Sequence, residues 1–226
     1  MTADTSQGWT RHLVYRAERT RTTWKLRLGI VAFVFVVLWL TSGWWTVAIA
    51  RSLIRDASVA PSDAILVETF DFDYRLFERA SDLRHRGLAA RVLVALATDP
   101  ETHEPSAVAV GVTELMATLS RLGTVEIVPI RQVEPITLNA TRDVQRFLER
   151  EHIRSLIVVT SLFRSRRSAL VYAATLGRAG IAVRYQPVEM SVGVNGWTRS
   201  WHGIQDVLEQ WIKLQYYRLY VLPLHS

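Results

Sequence analysis

The segment from Thr160 to Ser168 contains the residue types that bind phosphate or carboxylate groups. It reads TSLFRSRRS and follows an apolar run; its candidate ligand contacts are Thr160, Ser161, Arg164, Arg166 and Arg167. Arginine offers planar pairs of donors to an anion, and the amide N–H groups at a helix N-terminus also favour one. Arginines at that end oppose the helix dipole, which a bound anion would offset. The alternative is an exposed arginine face on a helix capped by Thr160 or Ser165.

A second polar segment, Glu134 to Asn139, also follows an apolar run. Glu134 has the chemistry of a hydrogen-bond acceptor, a cation ligand or a general base, and it is the one candidate catalytic residue we name. A structural ion pair between Glu134 and one of the arginines is the simpler alternative. Thr137 and Asn139 are candidate ligand contacts or, alternatively, caps of the next helix.

Three carboxylates lie at the end of a third apolar run, at Glu68, Asp71 and Asp73. Carboxylate oxygens suit Mg²⁺ or Ca²⁺, but this spacing matches no metal-binding loop, so we favour a solvated acidic loop and predict no metal. Glu68 is retained as a candidate ligand contact. The chain also lacks glycine-rich phosphate loops, a G-x-S-x-G motif, an H-E-x-x-H motif and histidine pairs at ligand spacing.

Apolar strand-like runs alternate with helical patterns and position these polar segments. The predicted strands are Ala64–Glu68, Arg91–Leu96, Val125–Ile130, Ser155–Thr160 and Ile181–Tyr185. The predicted helices are Tyr74–His85, Ala107–Leu122, Ala140–Glu151, Arg166–Arg178 and Gln205–Tyr220. This alternation predicts an α/β fold, a Rossmann-like three-layer sandwich with a mainly parallel five-stranded sheet. Ligands bind at the carboxyl ends of the strands in such sheets, where the polar segments lie.

An uncharged run of 23 residues, 28–50, precedes the α/β pattern. As one helix it would extend about 34 Å, enough to cross a bilayer. Residues 1–27 carry six basic and two acidic side chains, so the positive-inside rule predicts a cytoplasmic tail and a single-pass plasma-membrane protein with its domain outside the cytoplasm. A cleaved signal peptide is the alternative, although the run is long for one. Residues 51–62 are predicted as a linker and 63–226 as the domain.

Composition narrows the classes of function. The chain has 226 residues, 49% of them hydrophobic, with a net charge of +6 and no cysteine. A disordered chain, a disulfide framework, a thiolate zinc site and a cysteine nucleophile are thereby excluded. The basic excess lies largely in the tail, so the domain lacks the charge expected of a nucleic-acid-binding surface, and we predict no nucleic-acid partner.

These features together resemble the YdcF/SanA/ElyC-like bacterial envelope domain, from about residue 63 to residue 188. The basic tail, the anchor helix, SDAILVE and IVVTSLFRSRRSALVY carry the resemblance. That family commonly has Thr-Ser, then His four positions and Arg seven positions after the Thr. Thr160, Ser161 and Arg167 match this spacing, and Arg164 replaces the His.

The resemblance continues in the loop after the third strand, which in the family reads like Glu-x-x-Ser-x-Asn-Thr-x-x-Asn. Glu134, Thr137 and Asn139 fit this pattern, while Ala140 and Asp143 depart from it. The glycines that usually follow the first strand are replaced by Glu-Thr-Phe at 68–70. The resemblance implies a bacterial envelope role linked to cell-wall precursors, and a pocket rather than a defined reaction. Arginine is no general acid or base near neutral pH, so at position 164 it cannot perform histidine chemistry.

Three hypotheses about function follow. The first is a membrane-anchored envelope protein whose domain binds an anionic ligand, phosphorylated or lipid-linked. Its expected partners are the lipid bilayer and that ligand, and whether it is an enzyme stays open, as do any cofactor and the oligomeric state. The second is a non-catalytic interaction module in which the arginines are structural and the aromatic C-terminal helix docks a partner. The third, a nucleotide-like cofactor binder, rests on fold analogy.

Overall fold

The structure, a computed structural model, describes residues 23–70, 72–190 and 192–225. Most of the predicted cytoplasmic tail, together with Asp71, lies outside the described residues. The chain divides into two compact units, residues 1–43 and 44–226. The second unit contains the whole α/β domain.

The predicted membrane helix is broken in the structure. Helix α1 (Trp24–Leu40) and helix α2 (Ser42–Ser52) are separated at Thr41. The Thr41 hydroxyl donates to the Val37 carbonyl over 2.7 Å, and Ser42 and Gly43 follow, which are features that bend helices. None of the helices described is alone both long and apolar enough to cross a membrane, whereas α1 and α2 together meet the criteria of length and composition as a bent pair.

A five-stranded, all-parallel sheet forms the centre of the second unit, which confirms the predicted α/β class. Its strands are β1 (Ala64–Glu68), β2 (Arg91–Ala97), β3 (Glu126–Ile130), β4 (Ser155–Ser161) and β5 (Ala182–Val188). The spatial order is β3-β2-β1-β4-β5, a Rossmann-like arrangement. The strand order reverses between β1 and β4, which pair with Ile65 opposite Ile157. Such a switch point is where open α/β sheets bind ligands.

Helices cover both faces of the sheet and bury two separate apolar cores. The covering helices are α3 (Tyr74–His85), α4 (Ala107–Leu119), α5 (Ile136–Arg150) and α6 (Ser165–Ala174). Helices α3 and α4 contribute to one core, and α5 and α6 to the other. A C-terminal segment follows, comprising α7 (Trp201–Tyr216), a π-helical turn (Tyr217–Val221) and α8 (Leu222–His225). Both faces of β1, β2 and β4 are buried, which explains the continuous apolar runs at those strands.

Some boundaries differ from the sequence predictions for local reasons. Helix α5 begins at Ile136 rather than at residue 140, with Pro135 at the N-cap position. Helix α6 ends at Ala174 rather than at residue 178, where the Thr175 hydroxyl donates to the Val171 carbonyl over 3.0 Å. Helix α7 begins at residue 201 rather than 205, because the Ser200 hydroxyl accepts a hydrogen bond from the Gly203 amide.

The predicted linker of residues 51–62 is in part a packed element. Its first two residues complete α2, and Leu53 is fully buried. Leu53 belongs to a third apolar cluster with Phe163, Trp197 and Val207. The chain entering the domain is therefore fixed to the turn that follows β4, so the residues before β1 belong to the domain.

Candidate functional site

The carboxyl ends of β1 and β4 bring two of the predicted polar segments together. Val67 pairs with Val159 in the sheet, so Glu68 and Thr160 end neighbouring strands. A 3-10 turn, Leu162–Arg164, leads from β4 into α6 and carries the arginines to the same edge. We call the buried polar group at this edge the strand-end cluster; its members are Glu68, Thr137, Thr160, Arg164, Arg167 and Ser168.

Glu68 is the carboxylate at the centre of the strand-end cluster. It is 2% exposed, and its Oε2 accepts a hydrogen bond of 2.8 Å from the Ser168 hydroxyl. The Arg164 Nε lies 3.6 Å from the same oxygen, which is an ion-pair distance but longer than a hydrogen bond. Glu68 and Arg164 are thus a buried ion pair that lacks a direct hydrogen bond.

Arg164 is held from three directions. Its guanidinium carbon lies 3.8 Å from the centroid of the Phe70 ring, a cation–π contact. Its Nη2 donates to the Thr137 hydroxyl over 3.5 Å, and Glu68 lies beside its Nε. Arg164 is 6% exposed, so its guanidinium lies in the interior rather than on the surface.

Two buried polar atoms of the strand-end cluster, Thr160 Oγ1 and Arg164 Nε, make no hydrogen bond with a described residue. Burying polar groups without partners is costly, and native interiors pair nearly all of them. The cluster therefore retains unused hydrogen-bond donors and an unused acceptor at the switch point of the sheet.

Arg167 and Arg166 face in different directions, as a 3.6-residue helical turn requires. Arg167 is 3% exposed, and its guanidinium carbon lies 5.9 Å from the centroid of the Tyr217 ring. The Tyr217 hydroxyl accepts a hydrogen bond of 2.9 Å from the Thr137 amide. Arg166 is exposed. Arg164 thus contacts Thr137 directly, and Arg167 lies near Tyr217, which contacts Thr137. The candidate contact Arg166 is not part of this group.

Two buried tyrosines surround the carboxylate. Burial raises the pKa of Tyr172 well above its usual value, and the negative charge of Glu68 adds to that effect. Burial, and then Glu68, likewise raise the pKa of Tyr185. Both phenols therefore keep their protons at neutral pH. They can hydrogen-bond, but they are not bases.

The predicted role of Glu134 as the counter-charge for the arginines is wrong; Glu68 takes that place. Glu134 is exposed, and its Oε2 accepts a hydrogen bond of 3.3 Å from the Ile136 amide. Because α5 begins at Ile136, the Glu134 carboxylate caps the start of that helix and is in no ion pair with any described residue. Asn139 donates to the carbonyls of Val133 and Glu134, so it supports the same turn, and of this segment only Thr137 joins the strand-end cluster.

The contacts in the structure show which of the predicted helix caps form and what Asp73 in the acidic loop does. Pro135, not Thr137 or Asn139, occupies the N-cap position of α5. The Ser165 hydroxyl donates to the Leu162 carbonyl and accepts from the Arg55 amide. Asp73 caps α3 by accepting from the Arg75 amide over 2.8 Å. Among the described residues, no three potential metal ligands cluster.

Sequence reasoning overlooked four residues around the strand-end cluster: Phe70, Ser168, Tyr172 and Tyr217. Ser168 had a signal, since it lies four positions after Arg164 and thus on the same side of the turn. Tyr217 had none, because fifty positions separate it from Arg167. Its position depends on where the C-terminal segment packs.

The strand-end cluster offers hydrogen-bond donors and one carboxylate. Two guanidinium groups and the hydroxyls of Thr137 and Thr160 can donate hydrogen bonds to an anion. Glu68, the carboxylate in the strand-end cluster, already accepts from Ser168 and faces Arg164. In comparisons with known proteins, the chain matches no family model and no curated protein sequence.

Proposed function

We propose that the domain binds an anionic ligand at the strand-end cluster, and that the protein is a membrane-anchored component of a bacterial envelope. The observation that carries the binding proposal is the buried Glu68–Arg164 pair, whose closest atoms are 3.6 Å apart. Arg164 Nε makes no hydrogen bond with a described residue. A phosphate or carboxylate group of a ligand would supply a hydrogen-bond acceptor for Arg164 Nε.

The physical argument rests on the permanence of the guanidinium charge. Arginine cannot lose its proton in a protein, so a buried arginine needs a counter-charge and hydrogen bonds. Glu68 provides the charge for Arg164 but only a long contact. In this account Glu68 holds the site in the absence of ligand, and the ligand's anionic group competes with it for Arg164. The Thr160 hydroxyl, which has no partner among described residues, donates to the ligand.

The envelope part of the proposal depends on other features. The uncharged run of residues 28–50 and the basic tail support an anchor with the domain on the extracytoplasmic side. The resemblance of Thr160, Ser161 and Arg167 to the YdcF/SanA/ElyC-like motif supports a role near cell-wall precursors, which are phosphorylated and lipid-linked. A binding role needs no general base, in keeping with the exposed position of Glu134.

A non-catalytic interaction module is the second candidate, and one observation favours it. The C-terminal segment exposes a row of large apolar side chains: Trp201, Leu208, Trp211, Ile212 and Leu219. Exposed apolar surfaces of this kind commonly mark contacts with proteins or membranes. In that case the strand-end cluster would be purely structural, with Phe70 and Tyr217 as its covering side chains.

Calorimetric titration of the full chain in a nonionic detergent separates the two candidates. The probes are inorganic phosphate and glycerol 3-phosphate. The test variant is Arg164→Gln, and the matched control is Arg178→Gln, an exposed arginine beyond the end of α6. Anion binding at the strand-end cluster predicts at least a tenfold loss of affinity in the first variant, as for a lost charge-assisted hydrogen bond, and less than a twofold loss in the second. No heat of binding in the parent protein, or equal losses in both variants, would contradict the proposal.

A further inference from the structure

A large cleft lies beside α6, and its lining residues differ from the members of the strand-end cluster. Its volume is about 780 Å³, and the end of α2, α6, β5 and α7 line it. Apolar side chains form its walls, among them Leu170, Ile181, Trp211 and Leu214. No residue of the strand-end cluster lines it, so an inference about this cleft does not depend on the proposed function.

Three arginines, Arg55, Arg166 and Arg218, line the same cleft, and no carboxylate of the described part of the chain does. All three side chains are exposed. Within residues 23–70, 72–190 and 192–225, none of the three forms an ion pair. They come from three different parts of the chain, before β1, at the start of α6 and after α7, so the fold brings them together.

The combination of apolar walls with unneutralised guanidinium groups suits one class of ligand. Burying an apolar tail against Leu170, Ile181 and Trp211 is favourable because it removes apolar surface from water. An attached phosphate gains from several arginines, which bind phosphate oxygens through paired donors. A free phosphate would not use the walls, and a neutral lipid would not use the arginines.

We propose that this cleft binds a single anionic lipid, with its phosphate among Arg55, Arg166 and Arg218 and its acyl chain along Leu170, Ile181 and Trp211. The cleft is continuous with the exposed apolar face of α7, because Trp211 belongs to both. Tryptophan and tyrosine side chains favour the boundary between water and lipid. That face offers a route by which a lipid enters from a membrane surface.

The test uses the full chain in a nonionic detergent and follows the quenching of tryptophan fluorescence by a brominated acyl chain. The probe is a lysophosphatidate with a dibromostearoyl chain. A monoacylglycerol with the same chain tests the charge, and glycerol 3-phosphate tests the headgroup alone. The chain has eight tryptophans, so the signal from the cleft is the part of the quenching that is lost in Trp211→Phe.

The charge variant combines Arg55→Gln, Arg166→Gln and Arg218→Gln. Its matched control combines Arg75→Gln, Arg121→Gln and Arg178→Gln, which remove the same charge from exposed sites outside the cleft. We expect lysophosphatidate to bind at least tenfold more weakly to the charge variant and within twofold of normal to the control. The neutral lipid should bind the parent protein at least tenfold more weakly than lysophosphatidate does.

A second variant tests the apolar half of the cleft. Ala173 lines it and is exposed, so Ala173→Phe fills the cleft without disturbing the core. This variant should lose at least four fifths of the Trp211-dependent quenching and keep the thermal midpoint of the parent. Because it changes no charge, it also decides the matter should the triple charge variant fail to fold.

Three results would overturn the proposal: no quenching that depends on Trp211, equal affinity for the charged and neutral lipids, or equal losses in the charge variant and its control. Displacement of the lipid by an equal concentration of glycerol 3-phosphate would also do so, since the acyl chain would then add nothing to the affinity. If glycerol 3-phosphate binding disappears in Arg164→Gln and persists in the triple charge variant, that result reports on the strand-end cluster alone. The two sites can therefore fail separately.

Discussion

The charged groups at the amino end of the sheet and those at the carboxyl ends of β1 and β4 are arranged in opposite ways. At the amino end, Arg91 donates to both carboxylate oxygens of Glu126 over 2.8 and 2.6 Å and also contacts Glu151 over 2.9 Å. These side chains are between one third and one half exposed. At the carboxyl end, Glu68 and Arg164 are almost fully buried, and their ion pair is 3.6 Å long.

The difference lies in whether the charged groups have direct hydrogen-bond partners. At the amino end, short hydrogen bonds in contact with water join β2 to β3, and the Asp63 carboxylate accepts from two amides at the start of β4. The charged groups at the amino end therefore have direct hydrogen-bond partners. At the carboxyl end, the buried Thr160 hydroxyl and Arg164 Nε remain without partners among the described residues. In the proposed function, a bound anion would supply partners for these groups.

The largest expected effect is on stability, from Glu68→Gln. Removing one partner of a buried ion pair leaves a buried charge, and we expect the free energy of unfolding to fall by about 3 kcal/mol. The control at the other end of the sheet is Glu126→Gln, whose partner Arg91 is partly exposed, with an expected loss below about 1 kcal/mol. Urea denaturation measures both. Equal losses of unfolding free energy in the two variants would mean that the Glu68–Arg164 pair is no more buried in its energetics than the Glu126–Arg91 pair.

The next effect is on ligand affinity and concerns neighbouring arginines. Arg167→Ala should weaken the binding of glycerol 3-phosphate by about 1.5–3 kcal/mol, the value of a charge-assisted hydrogen bond. Arg166→Ala, which removes an exposed charge, should change it by less than about 1 kcal/mol. Calorimetric titration provides both numbers. Similar losses would indicate a diffuse basic surface instead of a site at the strand ends.

A smaller effect on stability distinguishes a hydroxyl that has no hydrogen-bond partner from one that has a partner. The Thr160 hydroxyl has no partner among described residues, whereas the Thr141 hydroxyl donates to the Thr137 carbonyl over 2.7 Å. Thr141→Val should therefore lower the free energy of unfolding by about 1 kcal/mol. Thr160→Val should leave it unchanged or raise it, while weakening phosphate binding. A loss of stability in Thr160→Val as large as that in Thr141→Val would show that the Thr160 hydroxyl is structural.

The smallest effect is a dependence of stability on pH at the amino end. The Arg154 amide, followed by contacts with Ser155, lowers the pKa of Asp63. A lowered pKa means that the stabilisation is complete above the unfolded-state value of about 3.9 and disappears as the pH falls through the folded-state value. The difference in unfolding free energy between the parent and Asp63→Asn should be constant from pH 7 to pH 5 and shrink below pH 4. A difference that grows below pH 4 would contradict the assigned contacts.

Elements with strong local signals were predictable from the sequence. The runs at β1 and β4 are apolar because both faces of each strand are buried, so their type and position follow from composition. The contrast between Arg166 and Arg167 follows from the rotation of about 100° per helical residue. Glu68 and Thr160 were placed at one edge because parallel strands align their carboxyl ends.

The remaining features depend on contacts that no local pattern encodes. Spacing alone could not decide between Glu68 and Glu134 as the partner of the arginines, because both follow strands. The earlier start of α5 decided it, by using Glu134 at the helix end. Tyr217 reaches the strand-end cluster through the packing of a distant segment, and the break at Thr41 opposes an otherwise uninterrupted apolar run.

The most direct test of the binding account is the affinity of Glu68→Gln for phosphate, measured by calorimetric titration at pH 7 beside the parent protein. If the ligand competes with the Glu68 carboxylate for Arg164, removing that negative charge should tighten phosphate binding at least tenfold, even though it destabilises the unliganded fold. Unchanged or weaker binding would contradict the account, because Glu68 would then be no competitor for the anion.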